Sequence, residues 1–534
     1  MEKKKKYLIL GIIILLALGG VTVAYLTWSS NKINIGLNSD CFTIDYTKGG
    51  DINNASVKLM NESDLIDSNN KFTIKEGIAL TYANIGIKST CGIEGYGSLY
   101  LNITSLSDAF TTGNSVGALK YAILKNTSTS TVSVTDLLNQ SFDIEKTGTI
   151  TSTGTKKILT KQLSNTEVNK YIIVIYIDKS LSGNDVIGAS FSGKISASAN
   201  QGKIDANYTL QKLHSLNSTM ALDTTKTPDF SMVSGNSGVK QNMSDGTSVP
   251  NQGDGTKGIY SSVDDFGTTY YFRGDVDNNY LSFAGQMWRI VRINGDGSIR
   301  IVTQTPVGKS AYNTSYKDNA YVGYMYGTPG SSSYAETHKN TNNSTIKTYL
   351  DNWYNNNLSS YADYIEDTIY CNDRSISSVT SFAGVTFTNE GYATDNTFYM
   401  ERNSINHSPS LKCSNANDRF TVNTSKGNGA LTVPIGLLTI DEVAFAGAYV
   451  CDLMNGIYIT NESYYLYLSN TSWWTMTPSH FVGDSANVAD VRPDGGVDSD
   501  CVNNYPDAVR PVVSLNADAI TGGDGTMNNP FTVG

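Results

Sequence analysis

Six cysteines and four histidines are the side chains of this chain best suited to chemistry, and their spacing points away from catalysis. None of Cys41, Cys91, Cys371, Cys413, Cys451 and Cys501 stands in a C-x-x-C pair, so neither a zinc ribbon nor a thioredoxin-type redox motif is expected. Proximity along the chain favours three bridges, Cys41–Cys91, Cys371–Cys413 and Cys451–Cys501, with buried free thiols as the alternative. A Ser–His–Asp hydrolase would need His338, His407 or His480 to meet a serine by coincidence, so that reading is set aside. Asp275-Val276-Asp277-Asn278 and Asn294-Gly295-Asp296-Gly297 suggest calcium, but neither has the spaced acids ending in Glu of an EF-hand. Both are read as turns, and no metal or other cofactor is expected.

Polar side chains gather in one closing stretch. Ser472-Trp473-Trp474-Thr475-Met476-Thr477-Pro478 and Ala508-Val509-Arg510-Pro511-Val512-Val513-Ser514-Leu515 are stiff and apolar, and between them lies a run rich in Asp, Asn, Gly, Ser and Val. Fixed ends with a polar middle predict a scaffold that presents a surface. Trp474, Met476, Val488, Val491 and residues 509–515 are expected as core or strand, with 509–515 paired to the strand 288–293.

What holds this stretch is a chain of 534 residues, long enough for two to four domains. Charged residues are only 16 %, and 33 tyrosines with many Gly, Asn, Ser and Thr fill the gap, a mix that suits sheets joined by turns. The net charge is −10, and the first six residues hold four Lys against one Glu, so the body is more acidic still. An acidic body argues against nucleic acid as a partner, since phosphate contacts need a basic patch. Lys3, Lys4, Lys5 and Lys6 precede an apolar run over 7–26, about twenty residues, enough to span a bilayer core. Residues 1–29 are therefore a membrane anchor with its lysines in the cytoplasm, or a signal segment cleaved near Gly19-Gly20-Val21-Thr22-Val23-Ala24. Either way the body is exported.

Over 30–200, short apolar or alternating runs recur at 33–37, 41–46, 77–87, 98–103, 118–124, 171–177 and 189–197, separated by turn residues. This pattern predicts an antiparallel β-sandwich, with 171–177, apolar on both faces, as a central strand. Residues 201–262 read as a flexible linker holding one short amphipathic helix at 207–213, because 231–256 has too few apolar residues to offset ordering. Residues 263–534 read as an α+β domain. It opens with a hairpin at 287–302, turning at Asn294-Gly295. A helix over 344–361 follows, with Ser344 as N-cap and Ile346, Tyr349, Leu350, Trp353 and Tyr354 on one face. Thr439-Ile440-Asp441-Glu442 fits the capping box of a second helix. Residues 371–430 read as an irregular insertion tied by Cys371 and Cys413.

Two resemblances follow from these motifs. Gly19-Gly20-Val21-Thr22-Val23-Ala24-Tyr25-Leu26-Thr27, and the run 171–178 followed by Gly188-Ala189-Ser190-Phe191-Ser192-Gly193-Lys194-Ile195, resemble the signal region and closing hairpin of camelysin-like, biofilm-matrix β-sandwich proteins of bacteria. Trp288-Arg289-Ile290-Val291-Arg292-Ile293-Asn294-Gly295-Asp296-Gly297-Ser298 and Val509-Arg510-Pro511-Val512-Val513-Ser514-Leu515 resemble a bacterial surface family with a C-type-lectin-like fold in its formylglycine-generating-enzyme-like form. Related variable proteins of diversity-generating retroelements hold their ligand-binding residues late in that fold. Carried over, the positions are His480, Phe481, Asp484, Asp490, Arg492, Asp498, Asp500, Asn503, Asn504 and Tyr505. The resemblance implies a non-catalytic, adhesin-like surface protein, attached through its N-terminal segment, that recognises an extracellular protein or glycan. A matrix or pilus-like subunit that self-assembles through the sandwich is the alternative. A formylglycine-generating-type enzyme is less favoured, because Cys451 and Cys501 are far apart in sequence and their surroundings do not match that active site.

Overall fold

A computed structural model describes residues 42–53, 57–89, 94–126, 133–164, 167–201, 204–235, 253–376, 405–450, 458–504 and 506–534, with the short pieces 25–28, 239–242, 248–251, 381–382, 385–386, 396–397 and 403. The apolar run before residue 25, the strand expected at 33–37, and Cys41, Cys91, Cys451 and Tyr505 lie outside the described residues. The chain is built mostly of antiparallel sheets with few helices, in two compact units, Met1–Lys203 and Ile204–Gly534. Among the described residues, no helix is long and apolar enough to cross a membrane.

The first unit holds two sheets. One runs in the order β1 (Tyr25–Trp28), β9 (Phe191–Gln201), β4 (Gly95–Leu106), β7 (Gly154–Leu163). The other runs β2 (Phe42–Lys48), β3 (Ala79–Ser89), β8 (Asn169–Asp178), β5 (Leu119–Lys125), β6 (Ser141–Thr149) and then Lys71–Thr73. Leu99, Leu101 and Ile195 of the first sheet share one buried cluster with Ile85, Ile123, Ile173 and Ile175 of the second, an arrangement compatible with an all-β sandwich. On the outer face of β8, Ile172, Val174 and Tyr176 are buried with Phe72 and Leu124, so this strand is covered on both sides as its composition requires.

Two expectations are corrected here. The runs 171–178 and 188–195 do not form a hairpin: β8 and β9 lie in different sheets. A strand apolar on both faces takes neighbours on both edges, here β3 and β5, and the helical turns Lys179–Leu181 and Asn184–Val186 carry the chain across instead. Tyr25 and Leu26, counted in the apolar membrane run, are strand residues paired with Asn200 and Ala199.

In the second unit, α1 (Ala206–Leu216) buries Ala206, Leu210 and Leu213 in the same core as Trp288 and Ile290. The stretch read as a flexible linker is therefore structured wherever it is described. Val233 is fully buried, and Asp254 pairs at 2.9 Å with the buried Arg273. Composition hid this because a few well-placed apolar residues and one ion pair do the anchoring.

The larger sheet of this unit is built around a hairpin. β10 (Gly258–Asp264) and β11 (Gly267–Arg273) lead to β12 (Tyr280–Phe283), β13 (Gln286–Ile293) and β14 (Ile299–Thr303). α2 (Thr345–Asn357) is capped by Ser344, which accepts from the Lys347 amide, and its Trp353 meets Trp288 edge-on at 6.2 Å. α3 (Ile440–Ala446) starts at the expected Thr439–Glu442 capping box. Its end requires Gly447, at φ 125°, because a Cβ there would lie 2.0 Å from Ser234 Oγ. Cys371–Cys413 is a disulfide with Cα atoms 5.6 Å apart, closing the insertion as expected, beside the short pair Tyr370–Cys371 and Arg419–Phe420.

The closing stretch supplies β15 (Trp473–Val482), β16 (Ser485–Val491), β17 (Val497–Cys501), β18 (Asp507–Ala508), β19 (Val512–Leu515) and, near the end of the chain, β20 (Phe531–Val533). β19 pairs with β14, Ile299 opposite Leu515 and Val302 opposite Val512, rather than with β13 as expected. β13 has no edge to give, since β14 takes one side and β12 and β11 the other. The strands β18, β15, β16 and β17 form a second sheet edged by Lys309–Ser310.

Candidate functional site

The register of this second sheet decides which polar residues meet. β15 and β16 are consecutive, and Trp474 lies opposite Asp490. β16 and β17 turn at Pro493-Asp494-Gly495-Gly496, where Gly495 at φ 75° packs against Asn461 too closely for any Cβ. The return pairs Asp490 with Asp498 and Val488 with Asp500, so three acids share one face. β18 lies along β15 with Ala508 opposite Trp473, which brings Asp507 into the same field. Lys309 pairs with Ala508 at the sheet's edge.

Apolar packing fixes the strands, as Trp473, Trp474, Met476, Val488, Val491 and Val497 are all buried. Asp490 sits among them, only 2 % exposed, and its Oδ1 has no hydrogen-bond partner. Burial first, and then the charge of Asp507, push its carboxyl up to about 8. Asp507 Oδ2 is likewise unpartnered. Burial and Asp500 raise Asp507 to about 6, against the pull of Lys309 and Arg492. At the rim, Arg492 pairs with Asp498 at 2.6 Å, and Asp500 accepts from Asn504 Nδ2 at 2.6 Å.

The structure thus brings together Asp490, Arg492, Asp498 and Asp500, with Asn503 and Asn504 following at the edge, and adds Asp507 and Lys309. Those two carried no sequence signal beyond an acid and a base at strand ends. The other carried-over positions stand apart, towards the turn of the β15–β16 hairpin. Phe481 is a core residue, 5 % exposed. Asp484 faces solvent and pairs with Lys317 at 3.0 Å. His480 is engaged by Ser479 Oγ at 2.8 Å, and burial lowers its imidazole to about 4.

The expected Cys451–Cys501 bridge is corrected. Cys501 is a free thiol that donates to Asn503 Oδ1 and accepts from Ser485 Oγ, each at 3.0 Å. Among the described residues, no group of three or more His, Cys, Asp or Glu side chains is placed to hold a metal ion.

The arginines of the sequence motifs do different work. Arg292 joins Asp264 at 2.7 Å and Glu442 at 3.0 Å, and Arg300 approaches Glu442 at 3.3 Å. Arg510 donates to the carbonyls of Thr303 and Leu466 beneath the Trp473 ring. An open cleft is lined by Asp264, Arg292, Arg300 and Glu442, with Cys371 and Cys413 in its wall. Gly113-Asn114-Ser115-Val116-Gly117 has the G-x-S-x-G spacing of a nucleophile elbow, but Ser115 is buried and donates to Asp185.

The chain matches no protein-family model, and a search of curated proteins finds no significant relative.

Proposed function

We propose that this is an exported, non-catalytic recognition protein of a bacterial surface, which binds an extracellular protein or glycan through the polar face and rim of β16, β17 and β18. The observation that carries the reading is Asp490: a buried carboxyl whose Oδ1 has no partner inside the protein, set under a rim of Arg492, Asp498, Asp500 and Asn504. An unpartnered buried polar atom costs about 1–3 kcal/mol, and a donor brought by a ligand would recover that cost. The sandwich is the stalk and the second unit the head, of C-type-lectin-like type by its hairpin and closing motifs, with the basic and apolar N-terminal segment as anchor or signal. A glycan and protein array probed with the whole chain tests this. Binding lost in Arg492→Ala and Asp500→Ala supports the reading, and ligands indifferent to both exclude it.

A second reading, a matrix or pilus-like subunit, is favoured by apolar side chains left exposed around one end of β8: Leu59, Val116, Leu181 and Ile187, the last 85 % exposed. Sedimentation of the whole chain decides it. Assemblies that dissolve in Ile187→Asp would establish the subunit role, and a monomer at all concentrations would exclude it.

A further inference from the structure

The two unpartnered carboxyls go further than a general binding face. We infer that Asp490 and Asp507 form a subsite for a primary ammonium group carried by the ligand. This rests on the reading of the β16–β18 face as the recognition surface.

Charge comes first. Asp490 faces Asp498 and Asp500 on its own sheet face and Asp507 from β18, while the cations in reach are Arg492 and Lys309. Arg492 is committed to Asp498 at 2.6 Å. Four acids, Asp490, Asp498, Asp500 and Asp507, thus share two cations, Arg492 and Lys309, so this face carries an excess of negative charge once all are ionised, with two carboxylate oxygens left without donors.

Donor supply comes second. Both unpartnered atoms are acceptors once ionised, and an ammonium brings three donors and a compact charge. A neutral hydroxyl would satisfy one oxygen without relieving the repulsion between the acids. A metal ion is the other way to relieve it, but no set of ligating side chains is placed for one among the described residues. An organic cation fits what is there.

The chemistry has a signature. In the free protein burial keeps Asp490 largely protonated near neutral pH. Seating an ammonium beside it restores the ionised form, so binding releases protons, and affinity rises with pH from about 6 to about 8, where the two acids titrate. A lysine-type ammonium keeps its own charge over this range, since it titrates near 10, whereas the ammonium of an amino sugar is acidified by the C–O bonds beside it, so the rise with pH is read from the lysine probe.

The test is titration calorimetry on the whole chain in buffers of different ionisation enthalpy. The probes are trilysine and the glucosamine trimer, each beside its N-acetylated form, so that peptide and amino-sugar sources of the ammonium are told apart. The expected result is that one charged probe binds with proton release, its acetylated form does not, and Asp490→Asn and Asp507→Asn each weaken it by about thirtyfold. The inference is overturned if acetylated probes bind equally well, if neither charged probe binds by about 10 mM, or if both variants bind like the parent chain. Should array ligands depend on Arg492 while ignoring Asp490 and Asp507, the recognition face stands and the ammonium subsite falls. If no ligand depends on Arg492 or Asp500, the recognition face itself falls.

Discussion

The second unit buries charge in two places and treats it in opposite ways. Beside the hairpin, Arg292, Arg300, Asp264 and Glu442 are all buried, and every cation meets a carboxylate within 3.3 Å. Burial alone would raise Glu442, yet Arg300 and Arg292 outweigh it and hold its carboxyl below the usual range. In the closing sheet, Asp490 is as deeply buried but stands nearest to other acids, and its carboxyl is raised. The first arrangement sets each buried guanidinium against a carboxylate, although burial still lowers the pKa of Arg300, whose Nε makes no hydrogen bond. The second is left open, and an open buried charge is costly unless something outside the chain completes it. Burial of charge is thus a poor marker of function here, and the sign of the nearest charges is the better one.

The contrast can be broken most forcefully at Glu442. Glu442→Gln leaves Arg292 and Arg300 facing each other with one acid fewer, an expected loss of about 3–5 kcal/mol in urea denaturation. A group with a depressed pKa contributes throughout the range above the ordinary Glu value, so the loss should be the same at pH 6 and pH 9. A variant as stable as the parent would show that the network is not what holds the hairpin to α3.

Asp490→Asn tests the opposite sign. With the folded carboxyl raised to about 8, the folded state holds a proton that the unfolded chain gives up, so stability falls as pH climbs from about 4 to about 8. The amide removes that fall and keeps some cost of an unpartnered polar group. The variant is expected to gain about 3 kcal/mol at pH 9 and nothing at pH 4, followed by thermal melting across that range. Equal melting curves at every pH would mean that Asp490 is already satisfied.

These opposite roles were not legible in sequence, because both regions read as charged residues among strand formers. What was legible followed from local rules. Ser344 and the Thr439–Glu442 box mark helix starts through side chains that satisfy free amides, and both helices begin there. Strands 79–89, 119–125 and 169–178 showed as apolar runs, while β6 and β7, rich in Lys and Thr, did not. The closing stretch was legible as strands with a polar turn, but its strand neighbour was placed one strand away, since edge occupancy is decided by tertiary pairing. For the same reason the carried-over positions included Phe481, whose alternation pattern cannot say which face is buried, and omitted Asp507.

A milder form of the second test sits at Asp507. Its carboxyl is raised only to about 6 and the residue is partly buried, so solvent screens part of the effect. Asp507→Asn should gain about 1 kcal/mol, complete by pH 7. In the Asp490→Asn background the gain should shrink, because Asp490 is the acid it repels. Strict additivity in that double variant would place the two carboxyls in separate sites.

The smallest expected effect marks where the face ends. Asp484 lies at the turn of the β15–β16 hairpin, paired only with the exposed Lys317. An ion pair in bulk solvent contributes little, because water screens it and two long side chains must be held in place. Asp484→Ala should therefore leave the melting profile unchanged at every pH, and should leave ligand binding on the array unchanged while Asp500→Ala abolishes it. Loss of binding in Asp484→Ala would extend the recognition surface along the whole hairpin to its turn, and the buried acids would then be one anchor within it rather than its centre.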